Sequence, residues 1–215
     1  EATVSGNHKL KEYQFRINGK GVRDPYGVMV KAGTNNNIVM DMSSITPTGG
    51  WASKPTLTNR EDSIVYEVHV RDFTIDSSSG VSSNKKGKFT GMTETGTTHS
   101  GVKTGIDHLK ELGVTHVQIL PFYDFATTMY NWGYDPVNYN IPEDQYSETP
   151  NDYENRVREV KNMINEYHKN GIRVIMDVVY NHTFGDEMFK DITMKYFTGN
   201  NDSGCGNGVN SGIPM

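Results

Sequence analysis

Two stretches of the sequence carry side chains suited to binding chemistry. One is Tyr130-Asn131-Trp132-Gly133-Tyr134-Asp135-Pro136, preceded by Pro121-Phe122-Tyr123-Asp124; the other is Asp177-Val178-Val179-Tyr180-Asn181-His182-Thr183. Aromatic rings beside carboxylates and amides suit a pyranose, whose faces stack on rings and whose hydroxyls need fixed donors and acceptors. Residues 124–154 hold seven acids and no Lys or Arg, which would repel a phosphorylated ligand, although a solvated acidic loop explains that count more simply. Asp177 stands out. A carboxylate in a run of Val, Ile and Met must be hydrogen-bonded or paired, because burying it alone is costly. An ion pair inside the fold and a role in a site both meet that requirement. Other candidates are weaker. His8, His99 and His168 read as surface residues, no two histidines have the H-x-x-x-H spacing of a zinc site, and Asp72 ends a strand where backbone or Arg71 satisfies it.

The elements that position these residues read as alternating strand and helix. Ile64-Val65-Tyr66-Glu67-Val68-His69-Val70 has the composition of a buried strand, and a Gly/Ser/Thr/Lys loop follows to about Ser100. Val102, Ile106, Leu109 and Leu112 then mark one face of a helix that Gly113 terminates. Val114-Thr115-His116-Val117-Gln118-Ile119-Leu120 reads as the next strand. Thr149-Pro150-Asn151-Asp152 has the form of a helix start, with a hydroxyl cap, Pro at the first position and a carboxylate three residues on. That helix carries Val157, Val160, Ile164 and Tyr167 on one stripe and stops at Asn170-Gly171. Ile172-Arg173-Val174-Ile175-Met176-Asp177-Val178-Val179 follows, an apolar run of the kind found in strands covered on both faces. This order implies right-handed crossovers and a parallel sheet, either doubly wound or a (β/α)8 barrel. The first strand lacks the Gly-rich turn of a doubly wound nucleotide site. Long polar and aromatic loops after the strands favour the barrel, with sites at the C-terminal strand ends. The expected fold class is α/β, a partial (β/α)8 TIM barrel comprising the first three strands, whose inward faces two helices would leave bare.

Residues 1–50 differ in grammar. Tyr13-Gln14-Phe15-Arg16-Ile17 alternates and meets Asn18-Gly19, a pair that favours a tight hairpin turn; Ile38-Val39-Met40 reads as a short strand. This all-β material is too short for a core of its own and reads as the end of a β-sandwich. Residues 51–215 are then expected to be the N-terminal part of a barrel, truncated after its third strand.

Composition sets outer bounds. The 215 residues are 34% hydrophobic and include 22 Gly, so loops take a large share. No apolar run long enough to span a membrane occurs. Nor does a basic segment followed by an apolar stretch open the chain, so any leader is expected to be absent or already removed. A net charge of −5 argues against nucleic acid as a partner. The single cysteine, Cys205, forms neither an intrachain disulfide nor a cysteine-type zinc site, and it does not identify the compartment.

Taken together, the motifs resemble those of type I pullulanases, debranching enzymes of glycoside hydrolase family 13 in the α-amylase superfamily. Tyr130-Asn131-Trp132-Gly133-Tyr134-Asp135-Pro136 is similar to the signature of that group, Asp177-Val178-Val179-Tyr180-Asn181-His182 to the family's shared motif at the third barrel strand, and Tyr66-Glu67-Val68-His69-Val70-Arg71-Asp72-Phe73 to its first-strand segment. Gly21-Val22-Arg23-Asp24-Pro25-Tyr26 and its surroundings resemble the end of the β-sandwich starch-binding module that precedes such barrels. The resemblance implies hydrolysis of α-1,6-glucosidic branch points by a retaining double displacement, with pullulan and branched maltodextrins as partners. It implies that Tyr134 stacks under a sugar, that His182 donates to that sugar's hydroxyl, and that Asp177 orients an Arg near the nucleophile. Asp135 and Trp132 follow as sugar contacts or loop scaffold. It assigns no catalytic residue to this chain, because the nucleophile Asp and acid/base Glu are expected beyond residue 215, so the remainder of the barrel is a further partner. No cofactor is required. Asn181 often ligates Ca2+ in related α-amylases, a site commonly absent from pullulanases. Alternatives are another α-glucan-active member, an isoamylase or branching enzyme, or a non-catalytic glycan-binding fragment.

Overall fold

β1 (Glu12–Tyr13) leads into β2 (Phe15–Ile17), which Asn18-Gly19 folds back onto β3 (Lys20–Val22); both turn residues have positive φ, 51° and 82°, as a tight hairpin turn requires. The computed structural model describes residues 3–126, 130–185, 189–192, 196–198 and 208–210. Cys205 and most of the tail after Phe184 lie outside the described residues. β1 pairs antiparallel with β4 (Asn37–Ile38), so the strand expected at Ile38-Val39-Met40 begins one residue earlier and ends sooner.

β5 (Val65–Val68) opens the α/β part. β6 (Thr98–His99) and β7 (Val102–Lys103) form a small hairpin before α1 (Gly105–Glu111). β8 (His116–Ile119), α2 (Tyr153–Lys169) and β9 (Arg173–Met176) complete it. The sheet runs β5-β8-β9, parallel throughout and in register, with Val68, Ile119 and Met176 forming one cross-strand row. Val68, Val117, Ile119 and Val174 share the face that packs on Ile106 and Leu109 of α1, Met163 and Tyr167 of α2, and Phe89 and Met92 of a 3-10 turn. Strand alternation turns Glu67, Gln118 and Ile175 to the opposite face, which no helix among the described residues covers.

Several expectations need correction. β5 is an edge strand, so Ile64, Val65 and Tyr66 are exposed rather than buried. Ile175, on the bare face, and Met176 and Val178, at and beyond the end of the edge strand β9, are also exposed. Val102 does not join the first helix. Ser100-Gly101, both at positive φ, turn it into β7, where it is exposed, and Leu112 caps the helix in solvent. In α2 the cap is Asp152, whose carboxylate accepts from the Asn155 N–H, while the Thr149 hydroxyl donates to Glu159 at 3.2 Å. Both helix stops hold, with Gly113 and Gly171 at φ 72° and 80°.

A buried charged node ties the N-terminal segment to the α/β part. Arg23 ion-pairs with Asp124, and Arg156 of α2, fully buried, donates to the Pro142 and Val30 carbonyls. Met29, Ile38 and Ile45 pack on Val157 beside it. Glu143, also fully buried, accepts from the Phe125 and Gln145 N–H groups. Burial, then the Asp124 and Asp144 carboxylates, push Glu143 from an ordinary 4.5 up to about 8. A carboxyl raised in this way contributes stability below its unfolded value and loses it as pH climbs through the folded value. The melting temperature of the polypeptide should therefore fall between about pH 5 and about pH 8.5, and Glu143→Gln, which carries no charge at either pH, should flatten that slope. Parallel wild-type and variant profiles would refute the assignment.

Candidate functional site

The segment between β8 and α2 leaves the sheet and returns alongside itself. Asp124 N–H bonds to Ile141 O at 2.8 Å, Val137 N–H to Asp124 O at 2.8 Å and Glu143 N–H to Phe122 O at 2.9 Å. Its far end carries the aromatic stretch, set over the C-terminal ends of the strands. There Asn131 acts as the local brace. Its Nδ2 donates to both oxygens of Asp135, at 2.7 and 2.9 Å, and to the Ala126 carbonyl, and its Oδ1 accepts from the Gly133 N–H. Gly133 has φ 87° and lies against the Pro121 backbone.

Residues after β9 grip this loop. The Tyr134 hydroxyl donates to Asp177 Oδ2 at 2.6 Å. His182 Nε2 lies 2.8 Å from the Tyr134 carbonyl oxygen, which only accepts, so Nε2 carries the proton. His182 Nδ1 is buried and has no hydrogen-bond partner among the described residues. Tyr139 donates to the His182 carbonyl at 2.9 Å, and the Phe184 N–H to the Pro136 carbonyl at 2.8 Å. Burial and then the Asp177 bond push the Tyr134 phenol well above its ordinary value, so the hydroxyl stays protonated and donating. Burial likewise raises the Asp135 carboxyl despite its bonds to Asn131. A cleft of about 320 Å³ opens between Glu67, Leu120, Trp132 and Tyr134.

Tyr134, Asp177, His182, Asp135 and Trp132, the five residues singled out in the sequence, thus gather in one place, with different duties. Tyr134 presents a partly exposed ring. Asp177 is half-buried and answers its need for a partner with a phenol, and among the described residues no cation pairs with it. Asp135 spends its carboxylate inside the loop. Trp132 is exposed, and its indole donates to the Tyr130 hydroxyl at 2.8 Å. Asp72 does pair with Arg71, and it also accepts from Tyr130. Burial pushes the Asp72 carboxyl up, but the Tyr130 hydroxyl, His69 and Arg71 outweigh it and hold it below the usual carboxylate range. Asn131, Tyr130 and His69 went unweighted in the sequence; a buried histidine in an apolar strand is the same signal that drew attention to Asp177. Asn181 is exposed, and among the described residues no three His, Cys, Asp or Glu side chains converge, so they supply no carboxylate cage for Ca2+ there.

Residues 71–202 match the model of the alpha amylase catalytic domain. The chain belongs to the alpha-amylase family. Within that family it is similar to the pullulanase of Bacillus subtilis strain 168, at 36% identity over 98% of the chain and 31% of that protein. Its fold matches the pullulanase from Bacillus acidopullulyticus with a TM-score of 0.89 and 40% identity, covering 99% of this chain and 28% of that one. It also matches the Anoxybacillus sp. LM18-11 pullulanase complexed with maltotetraose, with a TM-score of 0.87, 37% identity and coverage of 97% and 33%. The chain therefore spans about a third of the length of these relatives. The alpha-amylase family fold is of the TIM-barrel type, and β5, β8 and β9 are its parallel strands here.

Gly133 offers a test of the loop geometry. Gly133→Ala would hold a side chain at positive φ and drive its Cβ into the Pro121 carbonyl, a strain of about 1–3 kcal/mol before any clash. The variant should melt at lower temperature, and the peptide over residues 130–136 should exchange amide hydrogens faster than α2. Wild-type protection of that peptide would contradict the packing described.

Proposed function

We propose that the polypeptide carrying this chain is a debranching glycosidase that cleaves α-1,6-glucosidic linkages in pullulan and related branched α-glucans. The residues of this chain form one wall of its groove. The observation that carries this reading is the Tyr134–Asp177 hydrogen bond, which holds a partly exposed ring and a carboxylate side by side at the strand ends. A sugar stacked on Tyr134 has its hydroxyl edge toward polar groups, the arrangement pyranose recognition asks for. Similarity to pullulanases over nearly the whole chain, one of them solved with maltotetraose, supports the same reading.

In this proposal the chain binds and orients. Tyr134 positions the sugar on the non-reducing side of the scissile bond, His182 borders it, and Asp177 fixes the Tyr134 ring and receives an Arg beside the nucleophile. Bond cleavage is a retaining double displacement by a nucleophilic Asp and an acid/base Glu about 5 Å apart. Both are proposed to lie on later strands of the same polypeptide, beyond residue 215. Residues 1–50 are read as the end of a β-sandwich carbohydrate-binding-like module and residues 51–215 as the start of the catalytic barrel.

The full-length polypeptide should release maltotriose from pullulan. Tyr134→Ala should lower kcat/KM by about 10–1,000-fold through lost stacking and orientation. Tyr134→Phe keeps the ring and loses only the bond to Asp177, so it should retain more activity than the alanine variant. Turnover by Tyr134→Ala at the wild-type rate, or release of no product from pullulan, would overturn the proposal.

A further inference from the structure

His69, one residue beyond the end of β5, sits where the exposed loop meets the buried core. Its side chain is nearly enclosed, at 8% residue exposure. Nε2 lies 3.0 Å from the Asn131 carbonyl oxygen and 2.8 Å from the Tyr146 hydroxyl. The carbonyl only accepts, so Nε2 carries a proton and donates to it. On the opposite edge, Nδ1 is 3.3 Å from the Asp72 carboxylate and 3.4 Å from the Asp72 N–H. The ring meets Tyr130 and Tyr146 edge-on, at centroid distances of 5.6 and 5.8 Å.

Each of these contacts leads outward. Asp72 accepts from the Tyr130 hydroxyl, the Trp132 indole donates to that hydroxyl, and the Arg71 guanidinium lies 5.2 Å from the Tyr130 ring centre while pairing with Asp72 at 2.9 Å. Tyr130 and Trp132 are 56% and 57% exposed, adjacent rings that face the cleft of Tyr134. Among the described residues, only His69 reaches this exposed pair both through the Asn131 backbone and through Asp72. Its inner contact is Tyr146, which is buried against Phe89 and Phe125.

We infer that His69 is a positioning residue: its imidazole fixes the Tyr130–Trp132 aromatic surface over the end of the first sheet strand, and through that surface it sets how tightly a glucan chain is held next to Tyr134. The inference rests on the debranching reading above for its ligand and on the hydrogen bonds alone for its geometry. His69 touches no reacting atom, so its loss should weaken binding in the ground and transition states alike, which raises KM and leaves kcat nearly unchanged.

The test uses the full-length polypeptide with His69→Ala, His69→Gln and His69→Asn, measured as KM and kcat on pullulan and as amide exchange of the peptide over residues 130–136 against α2. Gln carries a donor at the distance of Nε2 and Asn does not. His69→Ala and His69→Asn should raise KM by about tenfold with kcat within about twofold, and the loop should exchange faster with α2 unaffected. His69→Gln should recover most of both effects. Wild-type KM and loop exchange in His69→Asn, no recovery by Gln, or a matched loss of kcat with exposure of α2 would each overturn the inference. If the wild-type polypeptide does not cleave pullulan, the proposed function falls, and the exchange arm still decides whether His69 holds the loop.

Discussion

A long segment that leaves a sheet must satisfy its backbone polar groups or remain in water, and that constraint shapes this molecule. Residues 121–126 are buried, as are Pro136, Asn138, Tyr139, Ile141 and Glu143, so each inward carbonyl and N–H there needs a partner. Arg156 supplies one answer, a guanidinium sent from the first turn of α2 to the Pro142 and Val30 carbonyls. Glu143 supplies another, accepting from the Phe125 and Gln145 N–H groups, and the Arg23–Asp124 ion pair joins the same segment to the N-terminal part. A single uncompensated charge in such a node is strongly destabilising. The node therefore stands or falls as a unit, and with it the join between the N-terminal segment and the parallel sheet.

What the node holds at its base, the two histidines hold at its tip. His69 and His182 each direct an Nε2 proton at a backbone carbonyl of the aromatic loop, Asn131 from the side of β5 and Tyr134 from the side of β9. Between them Asn131 closes the loop on itself. The rings are thus carried by hydrogen-bonded backbone rather than by a free tip, which is how a loop attains the placement a binding surface needs. Tyr134 is fixed twice, at its carbonyl by His182 and at its hydroxyl by Asp177.

Much of this was legible in the residues alone where local rules decide. Asn18-Gly19 makes its hairpin, Gly113 and Gly171 end their helices, and the alternation of strands and helices yields a parallel sheet in sequential order. Signals failed where tertiary context outvoted them. Thr149 looks like a cap, yet Glu159 one helical stretch away claims its hydroxyl and leaves Asp152 to cap α2. Val102 fits a helical stripe, yet Ser100-Gly101 turn it into a hairpin first. The gathering of Tyr134, Asp177 and His182 could be anticipated because each follows a strand end on the same edge of the sheet. Arg23, Asp124 and Glu143 could not, since their partners lie 101 positions away in one case and no local pattern marks a buried pair.

The same geometry constrains how His182 would take part in the sugar recognition proposed above. Its protonated Nε2 is committed to the Tyr134 carbonyl, and its buried Nδ1 meets no donor among the described residues. A hydrogen bond from this imidazole to a sugar hydroxyl therefore replaces the bond to the loop or shares its proton. Either way the ligand and the Tyr134 backbone compete for one donor. In the proposed complex, a His182 bond to the sugar would therefore be made at the expense of the bond that holds the Tyr134 backbone. The Asp177 bond to the Tyr134 hydroxyl does not involve that carbonyl, so it would hold the ring even if the His182 bond were given up.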